Sequence, residues 1–188
     1  MSVPCLMQNP ELPTGCESVA LTNALKYYGF NPAKTTMASK YVARSSGSNF
    51  VTAFHGNPYS STGGMVCAPG IVIAANKYLK EKKSELRGHE LTGTTLRALC
   101  KNQIAYGRPV IIWTSIGYSL GGHQYRSQVY NGRTYTAHTL SHTVVLSGYD
   151  EEQGVVWISD SISGKVRKTY SLVNSVYVKH GKQAVVIY

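Results

Sequence analysis

The spacing of hydrophobic residues changes along this chain, and that change constrains the fold more than any other feature. Before residue 109, apolar residues recur every three or four positions, which is typical of amphipathic helices. From residue 109 onwards, β-branched apolar runs are bounded by turn residues, which is typical of strands. Because helices come first and antiparallel strands second, the sequence predicts an α+β fold with N-terminal helices packed on a C-terminal antiparallel sheet.

The same patterns place the individual elements within one domain over residues 1–188. We predict helices over residues 17–28, 33–42, 69–83 and 94–103. We predict strands over residues 109–114, 128–134, 139–149, 155–160, 165–171 and 183–188.

Residues 44–70 are different, because Ser, Gly, Asn, Pro and Tyr dominate there. A loop or insertion of this length is uncommon in a compact domain unless it is functional. We therefore expect residues 47–64 to pack beside an active-site cleft and to restrict what enters it. Four apolar residues are expected to anchor the segment: Phe50, Phe54, Tyr59 and Met65.

The charge of the chain excludes one class of partner and leaves another open. Lys and Arg number 19 against 9 Asp and Glu, for a net charge of +10. Apart from residues 80–83, the basic residues are scattered and form no stripe with aromatic residues, so we expect no nucleic-acid partner. Association with an anionic cell-surface polymer, or with an acidic substrate, is compatible with the basic charge.

The N-terminus and the hydropathy bear on where the protein acts. No apolar run approaches the ~20 residues that a membrane-spanning helix needs. The first ten residues lack the charged start and apolar stretch of a signal peptide. The Tyr-, Ser-, Thr- and Gly-rich composition favours a secreted or cell-surface bacterial protein whose signal peptide is absent from this chain, and a cytosolic protein is the alternative.

The four cysteines are too few and too dispersed for a disulfide scaffold or a structural zinc site, and we expect no cofactor. For Cys67 and Cys100, two buried free thiols are favoured over a disulfide. Cys16 follows Gly15 at the start of the first predicted helix. Unpaired N–H groups and the helix dipole at this place are expected to lower the pKa of the thiol.

A nucleophilic thiol needs a proton acceptor, usually His, and that His needs an orienting oxygen. His142 begins one predicted strand, and Asp160 ends the next. If Tyr149 pairs with Val155, Asp160 lies opposite Val144 and diagonal to His142 on the same face, at roughly 7–8 Å between backbones. A Cys at a helix start, a His at a strand start and an Asp at a strand end are each more often structural than catalytic, so only their combination points to catalysis.

The other histidines are weaker candidates. If His138 shared a strand with His142, the two would lie on one face about 13 Å apart. The remaining four lie among Gly or polar residues and are expected at the surface: His55, His89, His123 and His180.

Five segments carry a family resemblance: residues 8–16, 56–60, 74–79, 141–150 and 156–160. They resemble the bacteriocin-processing peptidase-like family of papain-like cysteine peptidases, and residues 56–60 and 74–79 look like its free-standing secreted bacterial branch. Residues 8–16 match the motif Gln-x-Pro-x-x-Pro-x-Gly-Cys, residues 141–150 look like the family's His strand, and residues 156–160 look like its acidic strand. One departure is Ser161, since the family often has Pro after the acidic residue. The resemblance covers roughly residues 3–188.

The resemblance implies a papain-like fold and a role for each matching residue. Cys16 would be the nucleophile, His142 the general base, and Asp160 the group that orients the imidazole. Gln8 would donate its side-chain amide to the oxyanion, together with the backbone N–H of Cys16. The expected protein is a monomer that hydrolyses a peptide or protein substrate. Two alternatives stay open on the same fold, namely a non-catalytic peptide-binding module and an acyl transferase.

Overall fold

The computed structural model describes all 188 residues and confirms the α+β class. The helices are α1 (Cys16–Tyr27), α2 (Lys34–Thr36, continued by a π-helical turn Met37–Tyr41), α3 (Ala68–Glu81), α4 (Leu96–Asn102) and α5 (Tyr170–Lys179). The strands are β1 (Arg44–Ser45), β2 (Phe54–His55), β3 (Gly88–Glu90), β4 (Val110–Ser115), β5 (Gln124–Tyr130), β6 (Arg133–His138), β7 (Ser141–Asp150), β8 (Val155–Asp160), β9 (Gly164–Thr169) and β10 (Ala184–Ile187). No helix is both long and apolar enough to cross a membrane.

Six strands form one antiparallel sheet in the order β3-β10-β4-β7-β8-β9. Helices cover both of its faces. On one face, α1 and α3 pack against alternate residues of the central strands, such as Trp113 and Val145. On the other face, α4 and α5 pack against the intervening residues, such as Ile112 and Val144. Because both faces of β4 are covered, all its residues are buried, which explains its continuous apolar sequence.

The short strands β1, β2 and β3 were not predicted, and two larger differences separate the structure from the sequence-based prediction. The predicted strand over residues 128–134 is a hairpin, in which Asn131 and Gly132 make the two-residue turn between β5 and β6 with positive φ values of 48° and 74°. An Asn-Gly pair is the usual sequence for such a turn, so this signal was available and missed. The second miss is α5, whose buried residues Val173, Val176 and Tyr177 follow helical spacing.

The β7–β8 hairpin contains a β-bulge that decides which side chains share a face. Tyr149 pairs with Val156, so the predicted partner Val155 is wrong by one residue. The register shifts between Leu146 and Gly148, and from Leu146 back towards the start of β7 the pairing agrees with the predicted register. The bulge therefore returns Asp160 to the face of β8 that the prediction required.

The segment between α2 and α3 is tied to the core at several points. Phe50, Phe54 and Met65 are fully buried, as expected of anchors. Tyr59 is partly exposed instead, and its hydroxyl donates to the carbonyl of Thr35, so the prediction for Tyr59 is wrong.

All four cysteines are free. Cys67 lies in the core on the α1 face of the sheet, and Cys100 lies in the core on the α5 face. The sheet separates the two thiols, in agreement with the favoured prediction of two buried free thiols.

Candidate active site

The turn before α1 places Cys16 at the first position of the helix. Gly15 is required there, because a Cβ atom at this position would lie 2.9 Å from the Cβ atom of Leu12. Thr14 fixes the same turn to the 44–70 segment by donating its hydroxyl to the carbonyl of Ser60 at 2.8 Å. The side chain of Cys16 is nevertheless only 7% exposed.

The Cys16 thiol faces a buried carboxyl group. Its Sγ atom donates to Oε2 of Glu17 at 3.4 Å, and Oε1 of Glu17 accepts from the backbone N–H of Val66 at 3.0 Å. Glu17 is 1% exposed, and burial raises its pKa to about 7. Burial, followed by the charge of Glu17, also raises the pKa of Cys16 well above its ordinary value. The expectation of a lowered thiol pKa is therefore wrong for this arrangement, because desolvation outweighs the helix terminus.

His142 and Asp160 form a buried pair on neighbouring strands. Nε2 of His142 lies 2.7 Å from Oδ1 of Asp160. Oδ1 also accepts the backbone N–H groups of Ile162 and Ser163, at 2.9 and 3.2 Å. Burial acts to raise the pKa of Asp160, but the hydrogen bond and charge of His142 and these two N–H groups outweigh it and lower the pKa to about 2. Asp160 is thus an ionised acceptor that fixes the imidazole ring.

Tyr118 is a further partner of this pair. Its hydroxyl donates to Oδ2 of Asp160 at 3.0 Å, and the side chain is buried. Burial and the charge of Asp160 raise the pKa of Tyr118, so it remains a donor. Nothing in the sequence distinguishes this residue from the other tyrosines, because its contact joins positions 42 residues apart in the chain.

Gln8 is held in one orientation by two hydrogen bonds. Its Nε2 atom donates to the carbonyl of Pro13 at 2.7 Å, and its Oε1 atom accepts from the hydroxyl of Ser161 at 2.8 Å. The backbone N–H of Gln8 also donates to the carbonyl of Ser161 at 2.9 Å. An amide nitrogen carries two hydrogens, so one remains after the bond to Pro13. Ser161, the departure from the family motif, is therefore the residue that orients the Gln8 amide.

One cavity of about 350 Å³ connects three of the four predicted site residues. Gln8, Cys16 and His142 all line it, whereas Asp160 lies behind His142. Residues 61 and 63–65 form part of its wall, which confirms that the 44–70 segment lies beside the cleft. Residues 13 and 14 line the cavity next to Cys16. The rest of the wall is formed by Ile116, Tyr125, residues 138–141 and Ile162.

The thiol and the imidazole share this cleft without a hydrogen bond between them. Cys16 donates to Glu17, and His142 uses Nε2 for Asp160, which leaves Nδ1 of His142 without a protein partner. A Cys16–His142 hydrogen bond therefore requires the thiol to leave Glu17.

A second buried histidine lies next to the cleft. His180 is buried, so its predicted surface position is wrong, and its Nε2 atom is 2.9 Å from the hydroxyl of Ser115. Burial, with the charges of His138 and Lys179, lowers the pKa of His180 to about 3. His138 lies on β6 and His142 on β7, because the chain reverses between them, and both line the cleft. No group of three or more His, Cys, Asp or Glu side chains converges into a metal-binding cluster.

Comparison of the sequence with known families gives one match that spans most of the chain. The sequence profile of the Peptidase_C39 like family matches residues 1–185. The Bacillus subtilis (strain 168) protein YvpB, which is uncharacterised, is 27% identical over 190 residues, covering 96% of this chain and 72% of YvpB.

Solved structures agree with this match. A C39-like peptidase candidate from Bacillus anthracis is 27% identical, with a TM-score of 0.83 over 100% of this chain and 94% of that chain. The peptidase domain of Streptococcus ComA, a bi-functional ABC transporter involved in quorum sensing, is 14% identical, with a TM-score of 0.56 over 98% and 95%.

A double glycine motif protease from an AMS/PCAT transporter, solved with its leader peptide, is 16% identical, with a TM-score of 0.57 over 99% and 89%. At these identities, the second and third structures show the fold alone. The papain-like peptidase family and fold expected from the sequence motif are confirmed.

Proposed function

The chain belongs to the Peptidase_C39 like family, and we propose that it is a cysteine peptidase that uses Cys16 as nucleophile and His142 as general base. The observation that carries the proposal is the buried pair of His142 and Asp160, which lies 2.7 Å apart and presents the imidazole to the cleft that Cys16 and Gln8 also line. A buried carboxylate that orients a histidine beside a helix-start cysteine is the arrangement that acyl transfer through a thiolate needs.

Each residue has a defined part in the proposed reaction. Nδ1 of His142 takes the proton of the Cys16 thiol, and Asp160 holds the resulting imidazolium through Nε2. The thiolate attacks the peptide carbonyl carbon, and the free N–H of the Gln8 amide, with the backbone N–H of Cys16, stabilises the oxyanion. His142 then returns the proton to the leaving amine as the C–N bond breaks, which leaves a thioester. Water, deprotonated by His142, hydrolyses the thioester and releases the acid.

The proposed substrate is a peptide. This rests on the family and on the relative that was solved with a leader peptide, which is a property of that protein. Gly63, Gly64 and Thr14 line the cleft, and a Cβ atom on Gly63 would lie 2.1 Å from the Thr14 hydroxyl. Because the 44–70 segment packs closely against the turn that precedes Cys16, we expect the cleft to admit an extended peptide in preference to a folded protein surface. A secreted or cell-surface location stays a prediction.

One observation favours the second candidate, a peptide-binding module without turnover. The Cys16 thiol donates to Glu17, and burial and the Glu17 charge raise its pKa, so the resting thiol is protonated. A protonated thiol is a poor nucleophile. The two candidates therefore differ in whether peptide binding releases the thiol to His142.

Mass spectrometry of a peptide library incubated with the protein tests the proposal. We expect cleavage by the unmodified protein and by Cys100→Ala, a control that removes a thiol on the opposite face of the sheet. We expect no cleavage by Cys16→Ala, and turnover by that variant would refute the assignment. Addition of a free amine during the reaction separates a peptidase from an acyl transferase, because only a transferase gives the amide as the main product. Peptide binding without any labelling of Cys16 by a thiol-reactive electrophile would favour the binding module.

A further inference from the structure

One face of the sheet is only partly covered at its β8–β9 end, where the N-terminal residues Met1 and Val3 line a cavity with β8 and β9. Val156 and Ile158 of β8 point into the core beneath α5, so the residues that alternate with them point to the opposite face. Trp157 is one of these and is 39% exposed, which is unusual for the largest apolar side chain. The other tryptophan, Trp113, is fully buried.

The indole of Trp157 lies beside a glycine of the neighbouring strand. Gly148 is the direct partner of Trp157 on β7. A Cβ atom at position 148 would lie 3.3 Å from Cε3 and 3.7 Å from Cδ2 of the indole, so a larger residue there would require the ring to shift by a few tenths of an ångström. The indole therefore packs close to Gly148, and the exposed part of its surface is available for contact.

Two unpaired cations lie beside this ring. Arg167 is the direct partner of Trp157 on β9, and Lys165 is the partner of Ser159, so both are on the same face as the indole. Both are exposed, and neither forms an ion pair. With Trp157 they line a cavity of about 540 Å³ whose lining contains no acidic residue. The positive potential of this cavity is therefore not neutralised by the protein itself.

We propose that Trp157, Lys165 and Arg167 bind an anionic polysaccharide. The exposed indole offers an apolar platform for a flat sugar ring, because aromatic side chains combine large area with low conformational entropy. Lys165 and Arg167 are two residues apart on one strand, roughly 6.6 Å, so they can contact successive charges of one polymer chain. Exposed cations contribute little singly, which is why a repeating ligand suits this surface better than a single anion.

The proposed surface is separate from the cleft. Along β7, Gly148 is six residues from His142, roughly 20 Å. Binding of the polysaccharide is therefore expected to be unchanged in Cys16→Ala, so the failure of this proposal and the failure of the proposed peptidase function are distinguishable.

Four probes separate the contributions of ring and charge. Polygalacturonate has sugar rings and carboxylates, dextran has rings without charge, poly-L-glutamate has charge without rings, and a thymidine oligonucleotide represents nucleic acid. Tryptophan fluorescence reports binding, because only Trp157 is accessible to a ligand. We expect polygalacturonate to bind at least about tenfold more tightly than the other three probes. Its binding should weaken as the salt concentration is raised. Equal binding of poly-L-glutamate, or tighter binding of the oligonucleotide, would overturn the proposal.

Matched variants locate the site. Affinity electrophoresis in a polygalacturonate gel compares Trp157→Ala and Lys165→Gln/Arg167→Gln with the control Lys80→Gln/Lys83→Gln. The control also removes two positive charges, at and just beyond the exposed C-terminal end of α3. We expect the first two to weaken binding about tenfold or more and the control to stay within about twofold. If Trp157→Ala fails to fold, Trp157→Phe keeps a smaller ring and should bind with intermediate affinity. A loss in the control as large as in the test variant would show non-specific attraction by net charge and refute the site.

Discussion

Replacement of Glu17 by glutamine tests the charge of the buried carboxyl beside the candidate nucleophile. The Glu17 carboxyl has no cation partner and makes hydrogen bonds only with Cys16 and the N–H of Val66. Glutamine has the same shape and keeps an oxygen for the N–H of Val66, but it cannot ionise. The variant therefore removes one titration and leaves the packing in place.

The sign and size of the expected change in stability follow from the pKa of Glu17 in the unfolded chain and in the folded protein. Burial raises the pKa of Glu17 from an ordinary value of 4.5 to about 7, so the folded protein binds this proton more tightly than the unfolded chain. The stability that this proton contributes is fully present below pH 4.5 and is lost as pH rises through 7. At ~1.4 kcal/mol per tenfold change in proton affinity, the loss amounts to about 3 kcal/mol by pH 8.5.

Urea unfolding in reductant, at several pH values between 4.5 and 8.5, measures this difference. The free energy of unfolding of Glu17→Gln should gain about 3 kcal/mol over that of the unmodified protein as pH rises across this range. Titratable groups that interact with Glu17 are Cys16, Cys67 and Tyr125, and burial raises the pKa of each, so they stay neutral over the range tested. Glu85→Gln replaces an exposed acid and is the control. It should change the free energy of unfolding by no more than ~0.5 kcal/mol at any pH tested.

A second readout follows from the same variant. Without the Glu17 charge, the pKa of Cys16 should fall, so an electrophile should label Cys16 faster in Glu17→Gln than in the unmodified protein at pH 7.5. Stability curves of the two proteins that run parallel from pH 4.5 to 8.5 would refute the reasoning, because they would mean that folding leaves the pKa of Glu17 at its ordinary value.

Three further predictions concern the residues behind the cleft. Because the pKa of Asp160 is lowered from 3.8 to about 2, its pairing with His142 should contribute about 2 kcal/mol of stability that is present above pH 4 and lost between pH 4 and 2; acid unfolding of Asp160→Asn should lack this step. Tyr118→Phe leaves Oδ2 of Asp160 without its donor and should cost about 1.5–3 kcal/mol in urea unfolding; a neutral result would mean that water replaces the hydroxyl. Ser161→Ala frees the Gln8 amide and should lower kcat about tenfold with little change in KM, and an unchanged kcat would show that Pro13 alone orients the amide.

The local sequence determined the elements that carry the site. Gly15 and the apolar spacing after Cys16 predicted the start of α1, and the alternation of apolar residues predicted β7 and β8. These signals are local, because helix and strand periodicities extend over a few neighbouring residues and need no information about the rest of the chain. The same alternation placed His142 and Asp160 on one face, although the pairing near the hairpin was wrong by one residue. The bulge that corrects this error has no clear signature in the sequence.

The chemical state of the site was decided by tertiary structure. The sequence predicted a lowered thiol pKa from the helix terminus, yet burial and the Glu17 carboxyl raise it. Tyr118 and Ser161 act through contacts that span 42 and 153 residues of chain, and no local pattern can predict such contacts. Desolvation depends on how completely every element packs around a group. The sequence therefore determined which residues meet in the cleft, and only the packed fold decided that the resting thiol is protonated and bound to Glu17.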